Sequence, residues 1–315
     1  MSQAGEPAQP EEIGPYRIVK EIGSGGLGRV FQALSPEGKI VAVKVLHEKF
    51  AEDPKFLGVF HREMLMYSGL QNRYIASYLD SYFEPPLCYI VTEYIDGWSG
   101  YQFQKQVGQI PPLVAVAIIF DLLQGLDHLH LRDVVHSDLS ASNFMVSRRG
   151  QIFVMDFGLS CKNEIEDYRN FVMGTPGYYA PEHITNTPIG PYTDIYCAGL
   201  LLYQMLAGVR AVPHAKSLSD IRDSMKSIRW SMIRSTDWKM QRKLRGLVKG
   251  ALKYNPSQRY TTTQDFMFEC YQILKRSDIR YSRHAIHQFL YDAEMINESF
   301  DGTKQNIYFG WAGSI

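Results

Sequence analysis

The sequence predicts an α+β fold of two lobes, a small antiparallel β-rich lobe carrying one main helix and a larger α-rich lobe. Three observations carry this. From Tyr16 to Ile95 short β-branched runs alternate with turn signals; a single stretch of helical periodicity, 53–70, interrupts them; beyond Ile95 the helical period dominates.

In order, YRIVKEI (16–22), GRVFQAL (28–34) and IVAVKVL (40–46) read as consecutive antiparallel strands, the last two joined by the turn-forming SPEGK. Phe56, Val59, Phe60, Met64 and Tyr67 then recur at three- and four-residue spacing, so 53–70 is a helix. CYIVTEYI (88–95) closes the small lobe, and helices are expected over 112–132, 194–208 and 242–253. The organisation expected is a flexible tail over 1–15, a small lobe over 16–95, a large lobe over 96–275 and an extension over 276–315. In that extension Ile286, Phe289, Leu290, Ala293 and Ile296 keep helical spacing ahead of the tail FDGTKQNIYFGWAGSI, which reads as an added helix or as a docking tail.

Composition limits the partners. The 315 residues are 45% hydrophobic, and Lys plus Arg equal Asp plus Glu at 33 each, so overall charge predicts neither a nucleic-acid nor a membrane partner. Locally, 216–259 holds 12 Lys or Arg against Asp220, Asp223 and Asp237, which reads as solvated helix faces or as a docking surface for an acidic partner. Cys88, Cys161, Cys197 and Cys270 are too scattered for a zinc site or a disulfide framework and suit a reducing, cytoplasmic setting. The acid- and proline-bearing N-terminus is no signal peptide. The apolar stretches 113–123 and 195–206 fall short of a bilayer span, so no transmembrane segment is expected.

Gly23, Gly25 and Gly28, with Ser24 among them, form GxGxxG between two strands rather than between a strand and a helix. That context disfavours a dinucleotide fold and suits a loop whose backbone N–H groups approach phosphates, although an ordinary glycine hairpin reads the same way. Lys44 lies on a strand with apolar neighbours and needs a partner, for which Glu63 on the helix is the natural choice. HSDLSASN then sets Asp138 and Asn143 five residues apart, and VMDFG sets Asp156 thirteen further on.

With these residues the chain resembles the eukaryotic-type (Hanks-type) serine/threonine protein kinases, through GTPGYYAPE (174–182), TDIYCAG and NPSQRYTT, over roughly Tyr16 to Leu274. The resemblance implies ATP and Mg2+ as cofactors and a protein hydroxyl as acceptor. It implies Lys44 and Glu63 as the phosphate-positioning pair, Asp138 as the group receiving the hydroxyl proton, and Asn143 and Asp156 as magnesium ligands. It also implies Val30, Ala42 and Met145 around adenine, Thr92 behind it, and Glu93 to Ile95 as the hinge. Glu182 with Arg259 would be a buried ion pair, and Asp194 would bond to the catalytic-loop backbone. Tyr67, Leu79, His136 and Phe157 would stack as a hydrophobic column. Thr175 favours serine or threonine acceptors, Leu159 favours serine, and Ser99 and Ser142, where arginine-directed kinases carry acids, predict no need for upstream arginines.

The pattern breaks at Ser137 and Ser140, where the family has Arg and Lys. Without that Arg, phosphorylation at hydroxyls such as Ser160 or Tyr168 has no fixed cation to reach, so activation-loop phosphorylation is not expected to be required. Without the Lys, turnover is expected to be slow. A nucleotide-binding pseudokinase scaffold and a small-molecule phosphotransferase of related fold stand as alternatives, GTPGYYAPE counting against the latter.

Overall fold

The structure, a computed structural model, describes residues 10–158, 160–162, 174–185, 187–212 and 217–298. The chain divides into two compact units, one running to Asp96 and taking in Asp156–Leu159, the other formed by Gly97–Met155 and the chain from Ser160 onward.

In the first unit six strands form one antiparallel sheet in the order β1-β2-β3-β4-β6-β5: β1 Glu12–Ile13, β2 Tyr16–Ser24, β3 Gly28–Leu34, β4 Ile40–Leu46, β5 Tyr78–Glu84 and β6 Leu87–Glu93. Alternation gives the sheet two faces. Tyr16, Phe31, Ala33, Val41, Val43, Tyr89 and Val91 cluster on one of them. Val30 pairs with Lys44 and Ala42 with Thr92 across β3, β4 and β6, so these four side chains share the opposite face. Helix α1 (Pro54–Ser68) begins at Asp53, whose carboxylate accepts from Lys55 N–H, has Pro at its first position and buries Val59, Phe60, Glu63 and Tyr67.

Two sequence expectations fail in this unit. Glu12 and Ile13 do not belong to a flexible tail: they pair with Arg17 and Tyr16, and Ile13 is buried with the sheet core. Leu79 is 51% exposed and joins no buried column, because the pairing of β5 with β6 shifts register between Tyr78 and Asp80 and turns Leu79 outward.

In the second unit α3 (Pro112–His130) packs against α5 (Pro191–Ala207), α8 (Thr263–Arg276) and α9 (Ser282–Asp292). It is the one helix among the described residues long and apolar enough to cross a membrane, yet 72% of its apolar window is buried, as in a core helix. Shorter elements complete the unit: β7 Gly97–Ser99, α2 Gly100–Val107, β8 Val134–Val135, β9 Phe144–Ser147, β10 Ile152–Val154, β11 Cys161–Lys162, α4 Pro181–Thr185, α6 Leu218–Lys226 and α7 Trp238–Ala251. The extension holds the expected helix: α9 buries Ile286 and Leu290, and Ser282 Oγ donates to the buried Asp121 Oδ1 at 2.6 Å. Ala293, expected on that helix, lies just past its end and is exposed. Of the basic stretch, Arg259 is buried, while Lys226, Lys239 and Lys249 lie over the Tyr254, Trp238 and Trp230 rings.

Candidate active site

In the first unit the glycine-rich turn joins β2 to β3 and is closed by Gly25 N–H donating to Gly28 O at 2.8 Å. Its glycines do different work. A Cβ on Gly28 would lie 2.1 Å from Val45 O, so that glycine is dictated by strand packing. Cβ atoms on Gly23 and Gly25 would meet nothing closer than 4.0 and 3.9 Å, so the fold itself leaves that space open, and a phosphate-bearing ligand suits it. Ser24 is exposed at the same turn.

Lys44, from β4, donates through Nζ to Glu63 Oε1 and Oε2 at 2.6 and 2.8 Å and to Asp156 Oδ1 at 3.0 Å. Burial opposes its charge, but the Asp156 and Glu63 carboxylates outweigh that and hold the ammonium protonated. Burial pushes the Glu63 carboxyl up to about 7 against the pull of Lys44. Asp156 sits at φ +62, and its N–H donates to Tyr67 Oη at 3.1 Å while Phe157 packs edge-on against the Tyr67 ring. Thr92 is buried, and Glu93 accepts from Ser77 N–H and Oγ through Oε1. Ile95 is buried.

In the second unit the loop between β8 and β9 carries Asp138 and Asn143. Asp138 Oδ1 accepts from Thr175 N–H and Oγ1 at 2.7 and 2.8 Å, and Oδ2 accepts from Asn143 Nδ2 at 2.9 Å. Asn143 Nδ2 also donates to Asp138 O at 2.7 Å, which turns the amide oxygen away as the remaining donor atom for a cation. The Asn143 amide oxygen in this unit and, separately, the Asp156 carboxylate in the first are each hard oxygen donors of the kind magnesium takes. Met145 lies on β9, half-buried.

One carboxylate shapes this loop. Asp194, on α5, accepts from His136 N–H and Ser137 N–H, each at 2.8 Å, and lies 2.8 Å from His130 Nε2. Ser137 is thereby held at φ +67, and Ser140 is fully buried. His136 is a packing residue: it is fully buried, its Nδ1 accepts from Asp138 N–H at 3.3 Å, and Nε2 faces Met155 O at 3.0 Å. Glu182 and Arg259 form a buried pair with Nη1 and Nη2 at 2.7 and 2.9 Å from the two carboxylate oxygens. Ser160, one of the hydroxyls considered for phosphorylation, is 2% exposed, with Oγ donating to His136 O at 3.3 Å. Leu159 and Tyr168 lie outside the described residues.

Three contributors escape a reading of the sequence, because each acts through a long-range side-chain bond that no local pattern announces. His183 Nδ1 accepts from Ala180 N–H at 2.9 Å, so Nε2 carries the proton and donates to Ser137 O at 2.9 Å, tying α4 to the loop between β8 and β9. Gln204 accepts from Tyr178 Oη at 2.7 Å, and Arg210 lies over the Tyr178 ring. Burial lowers the His183 pKa from its ordinary 6.5, with the Glu182, Asp194 and Asp138 carboxylates pulling the other way. The native state thus prefers the neutral ring and the unfolded chain binds more protons. The stability involved is present above the ordinary histidine pKa and is lost as pH falls below it. From about pH 7.5 to about pH 5 the urea midpoint of the wild type should fall more steeply than that of His183→Gln, whose amide keeps a donor and an acceptor without titrating. Equal slopes would show that this ring does not titrate with folding.

A protein kinase domain family matches residues 16–270. A probable serine/threonine-protein kinase of Clostridium perfringens is 28% identical over 272 residues, which cover 85% of this chain and 39% of that protein. Serine/threonine-protein kinase PrkC of Bacillus subtilis is 28% identical over 260 residues, covering 80% and 39%. Serine/threonine-protein kinase PknB of Mycobacterium leprae is 30% identical over 267 residues, covering 79% and 41%. The chain spans about two fifths of the length of these relatives.

Proposed function

The chain belongs to the protein kinase family, and from that premise we propose that it transfers the γ-phosphoryl group of ATP to serine or threonine hydroxyls of proteins. The observation that carries this reading is the Asp138 carboxylate, held on one oxygen by Thr175, from the segment that in this family would face the acceptor, and on the other by Asn143.

Each unit has its part. In the first, Val30, Ala42 and Thr92 offer adenine an apolar sheet face, the Glu93 to Ile95 backbone reads its edge, and the Gly23–Gly28 turn leaves backbone N–H groups open to phosphate oxygens. Lys44, kept charged and oriented by Glu63, binds phosphate. In the second, Met145 packs on the adenine and Asp138 takes the proton of the attacking hydroxyl. Asn143 and Asp156 would be the oxygen ligands for Mg2+, which would supply neutralisation of phosphate charge. Kinases of this family use ATP and magnesium generally; their use by this chain is part of the proposal.

The test is a radiolabelled-ATP assay on a generic protein substrate beside Asp138→Asn, followed by phosphoamino-acid analysis. Phosphoserine and phosphothreonine should dominate, phosphoserine foremost, and a phosphotyrosine signal would overturn the reading. Phosphatase-treated enzyme should match untreated enzyme, since Ser137 leaves no catalytic-loop arginine to receive a loop phosphate. Docking of an acidic partner on the basic stretch 216–259 would show as substrate binding that weakens with salt. A reducing, cytoplasmic setting agrees with Cys88, Cys197 and Cys270, which are free and buried.

A further inference from the structure

Arg210 follows α5, two residues beyond its capping Gly208, and its side chain turns back to the segment Thr175–Tyr178. The guanidinium lies 5.3 Å above the Tyr178 ring, and Nη1 donates to Pro176 O at 3.4 Å. Gly177, at φ +91, makes room for it: a Cβ there would lie 2.9 Å from Nη1. Among the described residues Arg210 pairs with no carboxylate. The described polar groups beside it are neutral: Tyr178 Oη donates to Gln204 Oε1 at 2.7 Å and Gln204 Nε2 donates to Gln104 Oε1 at 2.7 Å.

The same four-residue segment begins with Thr175, whose N–H and hydroxyl hold Asp138. A partly exposed cation with no counter-charge among the described residues therefore stands on the stretch of chain that borders the catalytic carboxylate. The Tyr178 ring and the Pro176 carbonyl hold the guanidinium in place, and its fork can match a carboxylate in two parallel hydrogen bonds. Opposite preferences are not built in: Ser99 caps α2 and Ser142 is exposed, so neither position supplies an acid to attract arginines. We infer that Arg210 is a specificity-determining residue that selects acceptor peptides carrying Asp or Glu close to the phosphorylated hydroxyl. This rests on the kinase reading above and names the substrate class of the same site.

The test uses the full chain, treated with phosphatase, and a neutral serine peptide in which Glu, Gln or Arg is placed in turn at each position around the serine. Binding is read by fluorescence anisotropy and turnover by kcat/KM. At one or two neighbouring positions Glu should bind and react about fivefold better than Gln, the size of a partly exposed ion pair, and Arg should be worst. Arg210→Gln should bring the Glu peptide down to the Gln peptide, and Arg210→Glu should invert the order. No Glu preference in the wild type, a preference that survives Arg210→Gln, or equal losses for Glu and Gln peptides would overturn the inference. Arg210-dependent binding of Glu peptides without phosphate transfer would support it and sink the enzymatic reading. Transfer to neutral peptides with no Glu preference would do the reverse.

Discussion

Lys44→Ala should lower phosphotransfer about 10²- to 10³-fold, the scale on which a single preorganised charge contact acts, while the protein stays folded. Loss of activity alone would not separate a missing phosphate contact from a broken core, so stability decides. Removing the ammonium strands Glu63, whose side chain has no exposure, beside Asp156. Its carboxyl already sits at about 7, because burial outweighs even the adjacent ammonium. Without Lys44 it takes up a proton near neutral pH instead of enduring as an isolated buried charge, which keeps the cost small. Thermal unfolding of Lys44→Ala should shift by roughly a few degrees, and Lys44→Ala/Glu63→Gln should be no less stable than the single variant. Wild-type turnover in Lys44→Ala would refute the assignment of Lys44, and a collapsed fold would refute the account of Glu63.

Arg259→Leu should act in the opposite way, through stability first. Arg259 spends its donors on Glu182, on Tyr192 O at 2.7 Å and on Lys253 O at 2.8 Å, and it lies 4.6 Å over the Tyr196 ring. Both charged side chains are fully buried. Truncating one partner leaves the other charge and the carbonyls without solvation, at a cost of about 3–5 kcal/mol. That is a large share of the roughly 5–15 kcal/mol that holds a typical domain together. Urea unfolding should show the loss, and Glu182→Met/Arg259→Leu should recover part of it, because the stranded carboxylate is gone. A loss below about 1 kcal/mol in the single variant would show that the pair is solvated in a way its burial does not express.

Much of this architecture is legible in the sequence, for reasons that also mark where legibility stops. Strands β2, β3, β4 and β6 are β-branched and alternate, and α1, α3, α5 and α7 repeat at the helical period over at least three turns, so local rules suffice. The contact of Lys44 with Glu63 follows from one requirement, that an ammonium on a dry sheet face find a carboxylate. β1 is hidden because two residues carry no period, and the face of Leu79 is hidden because an irregular pairing reverses the alternation after Tyr78. His183, Gln204 and Arg210 act through bonds across 46, 26 and 34 positions, distances over which residue type alone says nothing. The return of Asp156, Phe157 and Gly158 to the first unit likewise belongs to the path of the chain rather than to any local pattern.

The hydrogen bond between Ser282 and Asp121 bears on how this chain can vary over time. Asp121 is 2% exposed in the middle of α3, and Ser282 Oγ and Gln124 Nε2 both donate to its Oδ1. Its tolerance is therefore lent by a helix that lies wholly beyond the stretch matched to the family. The two positions should drift together through descent: lineages that shed the last helix are expected to replace the acid on α3 with an apolar residue, and lineages that keep the acid are expected to keep a hydroxyl facing it.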